Sequence, residues 1–129
     1  MLLIRRTNDG DIQIDRLEKG GPVLGIVEWG NYQQGHVHIE EGDLLVMFSD
    51  GIVEAMDGTH DQFGEHRLLD VVRELADAPP EDIQNAILNT VRNHMGKDYP
   101  EFDDQTLLIA RFHDVFTRTV TPELHKLSV

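Results

Sequence analysis

The stretch that most constrains this chain is Gly42-Asp43-Leu44-Leu45-Val46-Met47-Phe48-Ser49-Asp50-Gly51. Leu44 to Phe48 is an unbroken apolar run of strand length, bracketed by glycines. Such a run predicts a strand buried on both faces, although a short buried helix can share the composition. Asp50 follows where the strand leaves the core, and Gly51 frees the chain to turn sharply. A carboxylate there has a fixed backbone and still meets solvent, which suits a metal ligand. Asp-Gly is also among the commonest turn pairs, so the pair alone leaves both readings open.

At 129 residues the chain is long enough for one domain with its own core. No apolar stretch approaches membrane-spanning length, and Met1 to Arg6 lacks the layout of a signal peptide. The absence of cysteine excludes disulfides and thiolate metal sites, in keeping with a cytoplasmic location. The 24 acidic against 11 basic residues leave a formal net charge of −13. A surface that negative repels nucleic acid and anionic lipid, so neither is an expected partner. It also repels a phosphorylated substrate unless metal ions reverse the local sign. A thiol-free, carboxylate-rich chain that binds metal favours hard cations such as Mg or Mn.

Leu2 to Arg6 and Asp11 to Asp15 flank Asn8-Asp9-Gly10, which predicts a β-hairpin with a tight turn. The apolar start at Leu2 is abrupt, as in a segment cut from something longer. Gly20-Gly21-Pro22-Val23-Leu24-Gly25-Ile26 lacks the spacing of a P-loop or a dinucleotide fingerprint and reads as a structural loop. Glu28 to Gln34 reads as a surface loop. His36, His38 and Glu40 alternate with Val37 and Ile39, which predicts a strand with both histidines on its wet face. A His-x-His pair can bind metal, but no third ligand lies nearby.

Leu68, Val71, Val72 and Leu75 recur at helical spacing, with Arg73 placed to pair with Asp77. Ala78-Pro79-Pro80 stops that helix, and Pro80, Glu81 and Asp82 suit the start of the next. Ile83, Ala86, Ile87, Thr90, Val91 and His94 form its apolar stripe, with His94 at the rim and Gly96 as terminator. An acidic loop from Lys97 to Asp104 then runs into Gln105 to Phe112, a clear strand. Asp103 and Asp104 are thus a second carboxylate pair at the mouth of a strand, although paired aspartates there are commonly turn residues. The tail from His113 to Val129 has weak periodicity.

Oxygen ligands on the ends of adjacent strands would suit a Mg or Mn site. Gly20 to Ile26, Glu41 to Ala55, Phe63-Gly64 and Asp103-Asp104-Gln105-Thr106-Leu107-Leu108 carry a resemblance in their order and spacing. Together they resemble the C-terminal half of bacterial metal-dependent protein phosphatases of the stage II sporulation protein E type, relatives of protein phosphatase 2C. The resemblance covers roughly Leu2 to Phe112, and four motifs in order are far more specific than any one alone.

The resemblance implies an α+β fold, an antiparallel β-sandwich flanked by helices. This chain would supply an N-terminally truncated half with five or six strands and an antiparallel helix pair. It divides the chain into residues 1–112, the phosphatase-like portion, and a tail, 113–129. It also implies a binuclear Mn or Mg centre that hydrolyses phosphoserine or phosphothreonine on a regulatory protein such as an anti-anti-sigma factor. Asp50 and Gly51 match the Asp-Gly metal motif, Asp103 matches the aspartate opening the final core strand, and Asp104 would be local support. No side-chain nucleophile is implied, because a metal-bound water attacks phosphorus.

Family members carry further ligands upstream, and Asp9, Asp11 and Asp15 do not match them. The resemblance therefore implies a phosphatase incomplete in this chain, with little turnover in isolation. The alternative is a non-catalytic binding or dimerisation module, since missing strands would expose sheet edges and apolar faces.

Overall fold

The computed structural model describes residues 1–22, 30–96 and 104–113. Four strands and three helices form an α+β unit: β1 (Leu2–Arg6), β2 (Ile12–Arg16), β3 (Leu44–Phe48), α1 (Asp50–Val53), α2 (Gly64–Glu74), α3 (Pro80–Met95) and β4 (Leu107–Arg111). The sheet order is β2-β1-β3-β4 and every pairing is antiparallel. The predicted hairpin forms, with Gly10 at φ +88° and its N–H donated to the Thr7 carbonyl at 2.9 Å. Glycine reaches that left-handed conformation without a side-chain clash.

Alternation along the strands sorts the sheet into two faces. Leu2, Ile4, Leu44 and Val46 point into the core and meet Ile52, Phe63, Leu68, Val72, Ile83, Ile87 and Val91 from the helical layer. Leu3, Leu45, Met47, Leu108 and Ala110 take the opposite face, where Met47 pairs with Leu108. Met47 is 39% exposed and Leu108 48%. Along the Leu44–Phe48 run the opposite face is half-buried at Leu45 and exposed at Met47, contrary to the burial on both faces expected from its unbroken apolarity. Helices cover a single side of the sheet among the described residues.

Four strands fall within the described residues, against the five or six expected. The predicted strand at His36–Glu40 does not form, because its backbone bonds to side chains and not to a ladder. The His38 carbonyl accepts the Arg5 Nη2 hydrogen at 2.7 Å, and the Glu40 N–H goes to Asp43 Oδ2 at 2.8 Å. The two helices end and begin as their sequence implies, with Pro79 preceding α3, Pro80 opening it and Gly96 closing it at φ +78°. His94 sits at the rim of the α3 stripe, while Met95 joins the core unforeseen. The expected Arg73–Asp77 pair is not made: Arg73 reaches Asp70 at 3.5 Å, and Asp77 takes Arg6 from β1 at 2.6 Å. Arg111 of β4 donates to the carbonyls of Ala76 and Ala78 at 2.6 and 2.9 Å, which ties the sheet to the turn between α2 and α3.

Asp43 is the one buried charged residue among those described, at 1% exposure. Its carboxylate receives Arg5 Nε at 2.9 Å and Nη2 at 2.6 Å, and the Glu40 N–H completes its shell. Burial by itself raises the Asp43 pKa. The Arg5 fork and the Glu40 N–H outweigh it and hold the carboxyl below the usual carboxylate range. The same contact, against the cost of burial, raises the Arg5 guanidinium further.

Removing one partner of such a pair strands a buried charge, so Arg5→Ala should cost about 3–5 kcal/mol. Arg6→Ala, at an exposed pair with Asp77, should cost no more than about 1 kcal/mol in the same urea titration. Because the folded Asp43 pKa is depressed, its stabilisation is present above the unfolded value near pH ~3.9 and is lost as pH falls through the folded value. Asp43→Asn should flatten that acid limb of the stability curve, and an unchanged limb would contradict the assignment.

Candidate metal centre

The site is built where β3 ends. After the Phe48–Leu107 pair, Ser49 extends the ladder by one bond, its N–H reaching the Thr106 carbonyl at 3.0 Å. The chain then turns into α1, a helix of 4 residues, with the Ser49 carbonyl accepting the Ile52 N–H at 3.1 Å and the Asp50 carbonyl accepting Glu54 N–H at 2.8 Å. Asp50 thus opens a short helix, and the strand does not end in a simple turn. Ile52, fully buried, anchors that helix in the core, so Asp50 is exposed on a rigid support.

Gly51 is buried against the segment that leads into β4. A β-carbon at this position would lie 2.7 Å from the Asp104 carbonyl oxygen, so no larger residue fits without displacing backbone. The Gln105 side-chain amide donates to the Gly51 carbonyl at 3.3 Å and approaches Met95 Sδ at 3.9 Å. The Ser49 hydroxyl donates to the Asp104 carbonyl at 3.0 Å and accepts the Thr106 N–H at 2.9 Å. Two acidic motifs, Ser49 and Asp104 being 55 positions apart, are thereby laid side by side. Asp104 is exposed beside Asp50's helix, whereas Asp103 lies outside the described residues.

The donors gathered here are hard oxygens, the chemistry that Mg and Mn select. The backbone cradle at Gly51 fits a close approach of the two segments. The set is small: Asp50 and Asp104 do not join any group of three ligating side chains among the described residues. The one such group is Asp57, Asp61 and His94, whose ligand atoms lie within 4.8 Å of one another. The same side chains also make bonds within the turn. Asp57 Oδ1 accepts the Thr59 hydroxyl and N–H and the Asp61 N–H, and these bonds hold its pKa below the ordinary range. Asp61 pairs with Arg67 at 2.8 Å, and His94 Nε2 lies 2.9 Å from the Asp61 carbonyl with its ring edge-on to Phe63. This cluster closes the turn between α1 and α2. His36 and His38 sit in irregular chain, so the His-x-His face is absent. Two residues that matter here, Asp43 and Ser49, were given no role from the sequence, because the partners that define them, Arg5 and the 104–106 segment, lie far along the chain.

Comparison with known proteins identifies the family. The stage II sporulation protein E (SpoIIE) family matches residues 1–113. A protein named phosphoserine phosphatase RsbU, from Bacillus subtilis (strain 168), is 33% identical over 97 residues, which is 74% of this chain and 28% of that protein. Protein IcfG from Synechocystis sp. (strain ATCC 27184 / PCC 6803 / Kazusa) is 27% identical over 93 residues, 72% of this chain and 14% of its own length. The chain therefore spans well under half of either relative. No solved structure matches it. The chain belongs to the stage II sporulation protein E family of protein phosphatase 2C-like domains.

Proposed function

We propose that this chain is the C-terminal portion, residues 1–112, of a Mn- or Mg-dependent protein serine/threonine phosphatase domain, followed by a tail, 113–129. The observation that carries the reading is the stitching of Asp50-Gly51 to the segment that bears Asp103 and Asp104. Family membership and the phosphoserine phosphatase relative support it. The Asp50 and Asp103 carboxylates and the Gly51 carbonyl would hold divalent cations, with Asp104 as support. The chemistry such ions supply is neutralisation of phosphoryl oxygens and acidification of a water. The chain's own part is to present carboxylates from α1 and from the segment ahead of β4, with the charge to retain cations. The substrate would be a phosphorylated regulatory protein, such as an anti-anti-sigma factor, in the cytoplasm. Metal charge would have to offset the net −13 before such a phosphoryl group could approach.

Three ligands are too few for a binuclear centre, so the working site needs ligands from a further part of the domain. The exposed Met47 and Leu108 fit this, since a second sheet of a sandwich would cover them. The same exposed face favours the second reading, a non-catalytic module that binds a partner or pairs with itself.

Calorimetric titration with Mn and hydrolysis of p-nitrophenyl phosphate test the proposal. Expected are Mn binding that Asp50→Ala and Asp103→Ala each weaken, and hydrolysis near background for the isolated chain. Binding unchanged in both variants would overturn the metal assignment. Hydrolysis abolished by either substitution would show instead that the chain completes the centre, by sharing ligands between copies. Gly51→Ala offers an independent check. Alanine is the better helix former by about 1 kcal/mol. The clash with the Asp104 carbonyl should reverse that sign and give a net loss of about 1–3 kcal/mol on urea unfolding.

A further inference from the structure

Serine at the N-cap of a helix ordinarily turns its hydroxyl onto a backbone N–H of the first helical turn. Ser49 precedes α1 in extended conformation, at φ −85° and ψ 164°, yet makes no side-chain cap bond. Its hydroxyl is used elsewhere. The Ser49 carbonyl, which would have served the next rung of the β3–β4 ladder, has turned away to accept the Ile52 N–H at 3.1 Å. The hydroxyl takes its place, accepting the Thr106 N–H at 2.9 Å and donating its own proton to the Asp104 carbonyl at 3.0 Å. With the Ser49 N–H on the Thr106 carbonyl at 3.0 Å, one residue makes three bonds to the segment 104–106. That segment is exposed and lies outside the regular ladder, and Gln105 adds a 3.3 Å side-chain bond to the Gly51 carbonyl of α1.

We propose that Ser49 is a positioning residue, whose hydroxyl fixes the segment 104–106 against the helix that carries Asp50 and so sets the affinity of the site for divalent cations. The inference rests on reading Asp50 and Asp103 as cation ligands. Ser49 itself contacts no ion or substrate in this role. Its hydroxyl acts through backbone bonds that keep two carboxylate-bearing segments from drifting apart, which removes an ordering cost from cation binding. Threonine retains the hydroxyl, whereas alanine loses both the acceptor for Thr106 and the donor to Asp104.

The test is a Mn titration of the 15N-labelled chain, read as paramagnetic broadening of the Gly51 and Gln105 amide signals, which registers even weak binding. In the unsubstituted chain both signals should broaden with one midpoint. Ser49→Ala should raise that midpoint about fivefold, and Ser49→Thr should stay within about twofold of the original, the span that one hydrogen bond sets. A purely structural role would lower the thermal midpoint of Ser49→Ala and leave the Mn midpoint alone. An unchanged Mn midpoint in Ser49→Ala, or failure of threonine to restore it, overturns the inference while the metal reading stands. Asp50→Ala separates the two. Broadening that survives in Asp50→Ala, or is missing from the unsubstituted chain, overturns the metal reading and this inference with it.

Discussion

Everything in this protein depends on the antiparallel pairing of β3 with β4. β3 is the central rail: Leu44 and Val46 anchor it in the core, β1 pairs along one edge, and β4 along the other. The pairing closes a long connection that holds all three helices, so its entropic cost is met only when the helices pack back onto the sheet. Once the register Phe48–Leu107 is set, Ser49-Asp50-Gly51 and Asp104-Gln105-Thr106 have no choice of neighbour. The candidate site is a consequence of strand register.

The other end of β3 is held by different physics. Asp43 is buried with the Arg5 guanidinium, and the same carboxylate gathers the Glu40 N–H. A buried pair of this kind adds little net stability over an apolar replacement, but its geometry tolerates few alternatives. It sets where the irregular chain from 30 to 40 meets the sheet, since Arg5 also bonds the His38 carbonyl. One end of β3 thus carries a carboxylate that is buried and paired. The other presents charge to solvent. Two aspartates flanking one apolar run have opposite fates because the Arg5 side chain reaches Asp43 from β1, while Asp50 has passed the ladder's end.

The amphipathic stripes of α2 and α3, the Pro79-Pro80 boundary, the Gly96 stop and the β1–β2 hairpin were all legible in the sequence. Each rests on contacts within a few residues or on a periodicity that one element imposes. The four ordered motifs also pointed to the family. The strand expected at His36–Glu40 was misjudged because alternation identifies a chain that could lie in a sheet, not one with a neighbour to pair with. The partner of Asp77 was misjudged for a similar reason: a helical neighbour one turn away lost to Arg6 on the sheet.

The sequence by itself determined the β1–β2 hairpin, the strands around Leu44–Phe48 and Leu107–Arg111, the two long helices and their order, and the acidic and thiol-free chemistry that favours hard cations. Local propensity and side-chain type suffice for those. Only the tertiary structure decided which carboxylate is buried and which exposed, that helices cover one face of the sheet among the described residues, and that the Ser49 hydroxyl bridges to the Asp104 segment. Those outcomes depend on which residues stand opposite each other across β1, β3 and β4. That register is fixed by the packing of the whole core, and no stretch of sequence contains it alone.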